Sequence, residues 1–197
     1  MSELPKREGP LARSGAASWQ APGDAVMLQE RPFLGTLNLR GDPRDPAFLK
    51  VAGKVLGTAL PLESNTTAGH QELAAFWLGP DEWLLVTPPH AQGALAARLE
   101  QALVGQHVAV TDVSAGQCAI AVSGPNAREL LAKGCGLDLH PRSFGPGRCA
   151  QTLLAKASVL ICQWNEPPGY ELFVRRSYSE YLWRWLQAAA RSFPEPV

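Results

Sequence analysis

From Phe33 onward, apolar and polar positions fall into repeating periods. In FLGTLNLRG, Leu34, Thr36 and Asn38 alternate with Phe33, Gly35, Leu37 and Leu39, a period of two that predicts a strand. DPAFLKVAGKVLG puts Phe48, Leu49, Ala52, Val55 and Leu56 on one helical face and stops at Gly57. ELAAFWLG and EWLLVTP read as two strands joined through Gly79, Pro80 and Asp81. HAQGALAARLEQALVG then sets Leu95, Leu99, Ala102 and Leu103 on one helical stripe, and HVAVTDV closes the unit as a strand. The order is β-α-β-β-α-β, a split βαβ unit.

The order then repeats. CAIAVSG predicts a strand and GPNARELLAKGCG a helix, with Pro125 in its first turn where a missing donor is tolerated. AQTLLAK extends the sheet, and ASVLICQW and GYELFVR form a hairpin across NEPP. SYSEYLWRWLQAAAR is a terminal helix with Ser177 available as a cap. LNLRGDPRDPAFL and IAVSGPNARELL correspond between the halves. The expected fold is therefore α+β, a tandem duplication of a ferredoxin-like split βαβ unit, with halves at 32–113 and 114–197 in one compact domain. Before them, residues 1–31 hold Pro5, Gly9, Pro10, Gly15, Pro22 and Gly23 without periodicity and predict an extended N-terminal arm.

LGPDEWLLVTPP raises a chemical question, because Asp81 and Glu82 sit in the turn of a hairpin. Adjacent strand residues project to opposite faces, so the two carboxylates do not converge on one substrate atom. They read as a solvated hairpin tip. Trp83 and Leu85 share one face of the following strand, and Leu84 and Val86 the other. Such a strand is covered on both sides, by its own helices on one and by something else on the other.

Lys plus Arg equals Asp plus Glu at 18 each, with no basic stripe to displace counterions from a nucleic acid. Charged residues make up only 18% of the chain, below the usual quarter, which hints at surface buried against partners. No apolar run is long enough for a membrane helix, and MSELPKREGPLARSG lacks a secretory core, so the cytoplasm is the expected compartment. Cys118, Cys135, Cys149 and Cys162 are too widely spaced for a zinc site and are expected as reduced core or loop thiols. His70, His90, His107 and His140 sit beside no nucleophile with an orienting carboxylate. The Ser123-Gly124 turn offers a helix N-terminus to an anion, but Pro125 occupies one donor position. Phosphate-binding glycine fingerprints do not occur.

The tryptophans are the candidate contacts. Trp19 lies in the arm, either anchoring a partner or folding back on its own domain. Trp83 lies in a strand that is apolar on both faces. In the last helix, Tyr178, Tyr181, Leu182, Trp185, Leu186 and Ala189 make one stripe, which leaves Trp183 outside it beside Arg184. Trp19, Trp83, Trp183 and Arg184 are thus the expected partner interface, since Trp and Arg are enriched at interface hot spots.

LGPDEWLLV, DVSAGQCAIAVSGPNARELLAKGCGLDL, SFGPGRCAQTLLAKASVLI and YELFVRRSYSEYLWRWLQAA together resemble the gamma subunits of heterotetrameric sarcosine oxidases, over about residues 33–190. That family is similar in turn to the folate-binding domain of the glycine-cleavage aminomethyltransferase. The resemblance implies a non-catalytic subunit of an alpha-beta-gamma-delta complex that oxidises sarcosine (N-methylglycine) to glycine. Oxygen becomes hydrogen peroxide, and the methyl carbon leaves as formaldehyde or, with tetrahydrofolate, as methylenetetrahydrofolate. FAD, FMN and NAD are implied for the alpha and beta subunits and zinc for delta, with no cofactor in this chain and alpha as its main contact. The aminomethyltransferase relatives carry acidic residues just before the strand that corresponds to ELAAFWLG. Here HQEL leaves Glu72 in that place, the one residue on which a stand-alone folate-dependent one-carbon transferase would rest. An RNA platform of split βαβ units would instead need exposed sheet aromatics with basic neighbours.

Overall fold

The computed structural model describes residues 8–12, 18–70, 72–165 and 169–193. Residues 1–7 and 13–17 of the expected arm, Gln71, and residues 166–168 of the NEPP connection lie outside them. The first unit runs β3 (Gly35–Arg40), α1 (Pro46–Leu56), β4 (Thr67–His70), β5 (Leu73–Gly79), β6 (Glu82–Thr87), α2 (Gln92–Ala102) and β7 (Ala109–Asp112). Its five-stranded sheet has the order β4-β5-β6-β3-β7. Its pairings are all antiparallel. Without the added edge strand β4, this is the expected split βαβ arrangement.

Local chemistry explains the elements. Asp45 caps α1 by accepting from Ala47 N at 2.8 Å, and Pro46 sits where a helix needs no donor. Gly57 ends the helix in the left-handed region at φ 73°, where its N–H reaches Gly53 O. Phe48, Ala52 and Leu56 are buried, as the sequence period requires.

The second unit runs β8 (Gln117–Ser123), α3 (Ala127–Ala132), β9 (Cys149–Leu154), β10 (Ala157–Asn165), β11 (Gly169–Arg175) and α4 (Ser179–Ala190). Among the described residues, no strand follows α4 to match β7. That place is taken by β2 (Met27–Glu30), which pairs antiparallel with β8, Leu28 opposite Val122. Outside β2 lies β1 (Ser18–Gln20), with Trp19 opposite Leu28. The second sheet is therefore six-stranded, β1-β2-β8-β11-β10-β9. This corrects the expected extended arm over 1–31 at residues 18–20 and 27–30, which are strands of the second unit's sheet. A free β8 edge is a row of backbone groups seeking partners, and the nearest spare extended segment supplies them. Leu11, Val26 and Leu28 follow into the core with no exposed surface.

Three apolar layers hold the molecule together. One lies between the first sheet and α1 and α2, and includes Leu37, Phe48, Trp83, Leu85 and Leu99. A second lies between the other sheet and α3 and α4, and includes Leu28, Ile120, Leu131, Leu172 and Trp183. The third lies between the two sheets, where Phe76 meets Trp164 and Phe173 edge-on, each at 5.4 Å between ring centroids. The arrangement is helix, sheet, sheet, helix. Along one side the sheets are stitched by backbone bonds, Thr67 N to Gly147 O at 3.0 Å and Cys149 N to Asn65 O at 2.9 Å. The expected two-sided cover of β6 is present: Trp83 and Leu85 face the helices, and Leu84 and Val86 face the second sheet. The second cover is the chain's own other half.

Candidate functional site

The Asp81–Glu82 turn behaves as a hairpin tip. Arg40, directly opposite Glu82 in β3, donates to both oxygens of Asp81 at 3.0 and 3.1 Å and lies 3.7 Å from Glu82. Glu82 also accepts from Asn38 Nδ2 at 2.7 Å. Each carboxylate thus has its counter-charge or donor at hand, and about half of the Asp81 side chain faces solvent. Such a pair holds loops together more than it moves protons.

Two of the expected tryptophan contacts lie inside. Trp83 is fully buried in the helix-facing layer of the first unit, packs against Phe48 at 5.9 Å between centroids, and donates from Nε1 to Pro61 O at 2.8 Å. Trp183 is 1% exposed and packs under α4. The buried stripe of α4 is Ser179, Leu182, Trp183, Leu186 and Ala190, so the helix is rotated from the expected stripe. Tyr178 and Tyr181 face outward, at 46% and 38% exposure. Leu182 and Leu186 belong to both stripes, so the sequence carries two overlapping periods, and the wider cover offered by Trp183 wins. Ser177 makes no cap; Ser179 Oγ donates to Arg176 O at 2.8 Å instead. Trp19 is half-buried on the edge strand β1, and Arg184 is exposed in an ion pair with Glu180 at 2.6 Å. The structure does not bring these four residues together on one surface.

The four cysteines are free thiols, all in the second half. Burial pushes Cys118 up to about 12, aided by the nearby Glu30 charge, and pushes Cys149 up to about 11. Burial likewise raises Cys162, with Glu171 adding to it. Thiols held neutral in this way are poor nucleophiles and poor metal ligands. Among the described residues, no three of His, Cys, Asp and Glu are grouped to hold a metal ion.

The turn before α3 is closed to anions by its own chain. Asn126 N donates to Ala25 O at 2.9 Å, and a Cβ on Gly124, at φ 107°, would stand 2.7 Å from that same oxygen. A small cavity of about 120 Å³ lies beneath the N-terminal segment, where buried Glu30 accepts from Leu11 N at 3.1 Å. A cleft of about 570 Å³ opens between the sheets and is lined in part by Asn38, Glu82, Gln117, Gln151, Leu160 and Arg175. Glu72 is exposed and lines neither. A carboxylate that is to hold a pterin must look into an enclosed cleft, and Glu72 does not fit that role. The sheet aromatics Phe76 and Phe173 are buried between the sheets, which removes the open platform an RNA reader needs. No helix among the described residues is long and apolar enough to cross a membrane.

The fold defines the class first: a double split-βαβ sandwich of the aminomethyltransferase folate-binding-domain type. The glycine cleavage system aminomethyltransferase T from Bartonella henselae shares it with a TM-score of 0.63 at 16% identity, over 87% of this chain and 50% of that one. Nearer relatives supply the family. The family model described as "Sarcosine oxidase, gamma subunit family" matches residues 40–192. The sarcosine oxidase subunit gamma of Corynebacterium sp. (strain P-1) is 38% identical over 174 residues, 87% of this chain and 84% of that protein. A chain of the heterotetrameric sarcosine oxidase from Corynebacterium sp. U-96, solved in complex with pyrrole 2-carboxylate, superposes with a TM-score of 0.85 at 33% identity, over 97% of this chain and 99% of that one. The chain belongs to the sarcosine oxidase gamma subunit family.

Proposed function

We propose that this chain is a non-catalytic, structural subunit of a heterotetrameric sarcosine oxidase that converts sarcosine to glycine. The observation that carries this reading is the match along nearly the full length of a chain from such an oxidase, 97% of this chain and 99% of that one. In this reading the alpha, beta and delta subunits hold FAD, FMN, NAD and zinc, and tetrahydrofolate accepts the methyl carbon at a site outside this chain. The largest subunit, alpha, is the main contact. Trp19 and Arg184 keep surface with which to meet a partner, whereas Trp83 and Trp183 serve the chain's own core. The buried neutral thiols suit a protein that sits beside a source of hydrogen peroxide, since the thiolate is the form that peroxide attacks.

Co-expression of the tagged chain with the other subunits tests this. The chain is expected to copurify with a flavin spectrum and sarcosine-dependent peroxide formation, and its omission is expected to lower the yield of assembled enzyme. A tagged chain that purifies alone, beside an oxidase that assembles fully without it, would sink the reading. The isolated chain is also expected to give no saturable heat with tetrahydrofolate in calorimetry.

A further inference from the structure

The two sheets match position for position: β4, β5, β6, β3 and β7 stand where β9, β10, β11, β8 and β2 stand in the second sheet. The second sheet continues one strand further, because β1 covers the outer edge of β2. Among the described residues, the first sheet stops at β7, which pairs with β3 alone. No described strand fills its sixth position.

The phase of the ladder says which groups that edge presents. Val113 N donates to Thr36 O at 3.0 Å, and in the same register Thr111 stands opposite Asn38 and Ala109 opposite Arg40. Bonding alternates along an antiparallel pair, so Ala109 and Thr111 bond β3 while Val110 turns its N–H and C=O away from it. Natural edges are guarded by charged side chains, proline, a bulge or a very short strand; β7 is four residues long and has no lysine, proline or bulge, and its one charge is Asp112. The Asp112 carboxylate is turned back onto Ser114 N at 2.9 Å.

We infer that β7 is a strand-addition site, where an extended segment of a co-assembling subunit docks antiparallel as the sixth strand of the first sheet. This rests on the subunit reading above. The internal repeat argues for a strand as occupant, since the same position of the sister sheet is filled by one. The two faces set its chemistry. The residue opposite Val110 is apolar, because it emerges on the helix side beside Val108 and Val110, which pack on the first unit's core. Its neighbours are polar, because the Thr111 face carries Asn38 and Glu82, already bonded to each other. Backbone bonds supply the affinity, and this alternation supplies the selectivity.

Hydrogen exchange at residues 108–113, compared between the isolated chain and the copurified complex, tests it. Exchange at Val110 is expected to slow by at least about tenfold on assembly, while Thr111, bonded to β3, is protected in both states. Val110→Pro removes the outward donor without breaking a bond to β3 and is expected to weaken assembly by about tenfold or more; Val110→Thr is expected to preserve it. A complex that forms with Val110 exchange unchanged overturns the strand-addition site and leaves the subunit reading standing. Protection that instead rises with the concentration of the isolated chain overturns it in favour of a second copy of this chain. Failure of any complex to form removes the subunit reading, and this inference with it.

Discussion

The first unit is written continuously in the chain, from β3 to β7, whereas the second borrows its closing strands from the residues that precede the first. The same sheet order is thus completed in two ways. In the first, α2 delivers β7 into place, and no described strand pairs with its outer edge. In the second, β2 and β1, which precede the first unit in the sequence, close the sheet on β8. A repeat unit evidently specifies positions in a sheet more strongly than it specifies which stretch of chain fills them. The cores differ in the same spirit. Each unit buries one tryptophan between sheet and helices, but Trp83 Nε1 finds Pro61 O, whereas Trp183 Nε1 has no hydrogen-bond partner among the described residues. All four thiols lie in the second unit.

These differences can be broken one at a time. Trp83→Ala and Trp183→Ala empty the largest core sites of their respective units and are each expected to cost about 3–5 kcal/mol in denaturant unfolding, the former more because Pro61 O also loses its donor. Equal losses would show that the hydrogen bond contributes little. Leu28→Ala, at the borrowed strand, is expected to cost about 2–5 kcal/mol and to speed amide exchange in β8 before β3. Were β3 to open first, residues 18–30 would not be what closes the second sheet.

Alkali is expected to act on the second unit. A thiol whose folded pKa is raised releases its proton more readily once unfolded, so stability is whole below the unfolded value near 9 and falls as pH rises towards the folded value of about 11 for Cys149. That group alone contributes a loss on the order of 2 kcal/mol across the window. Cys149→Ser, followed by urea titrations at pH 8 and pH 10.5, should make the slope shallower by about a third, because Cys118 and Cys162 are raised as well; an unchanged slope would reassign it to those other groups. The smallest effect separates the two indoles. Trp83→Phe is expected to be more destabilising than Trp183→Phe by about 1–2 kcal/mol, because only the first strands a buried acceptor. Comparable midpoints for the two variants would mean that the Trp183 N–H is satisfied in solution.

Much of the layout was legible in the residues. The alternation in Gly35–Arg40, the Gly57 end of α1, and the hairpin through Pro80 and Asp81 follow from local rules that act over a few residues. The family resemblance was legible in long motifs, and the match over residues 40–192 agrees with it. The candidate interface was not. Trp83 looked free because a strand that is apolar on both faces asks for a cover without saying whose. Trp183 looked free because α4 carries two overlapping apolar stripes that share Leu182 and Leu186. The role of residues 18–30 was hidden because short strands rich in nearby proline and glycine show no period until a neighbour pairs with them.

By itself, the sequence determined the element types from β3 onward apart from β4, and the two faces of each central strand, since these depend on periods of two and 3.6 residues and on caps and turns. Only the tertiary structure decided that the two sheets cover each other, that α4 turns Trp183 inward, and that the N-terminal strands finish the second sheet. Each of those is a competition between distant surfaces for the same apolar or backbone partner. Its outcome depends on which geometry buries the most without leaving a polar group unpaired, and no local period records that.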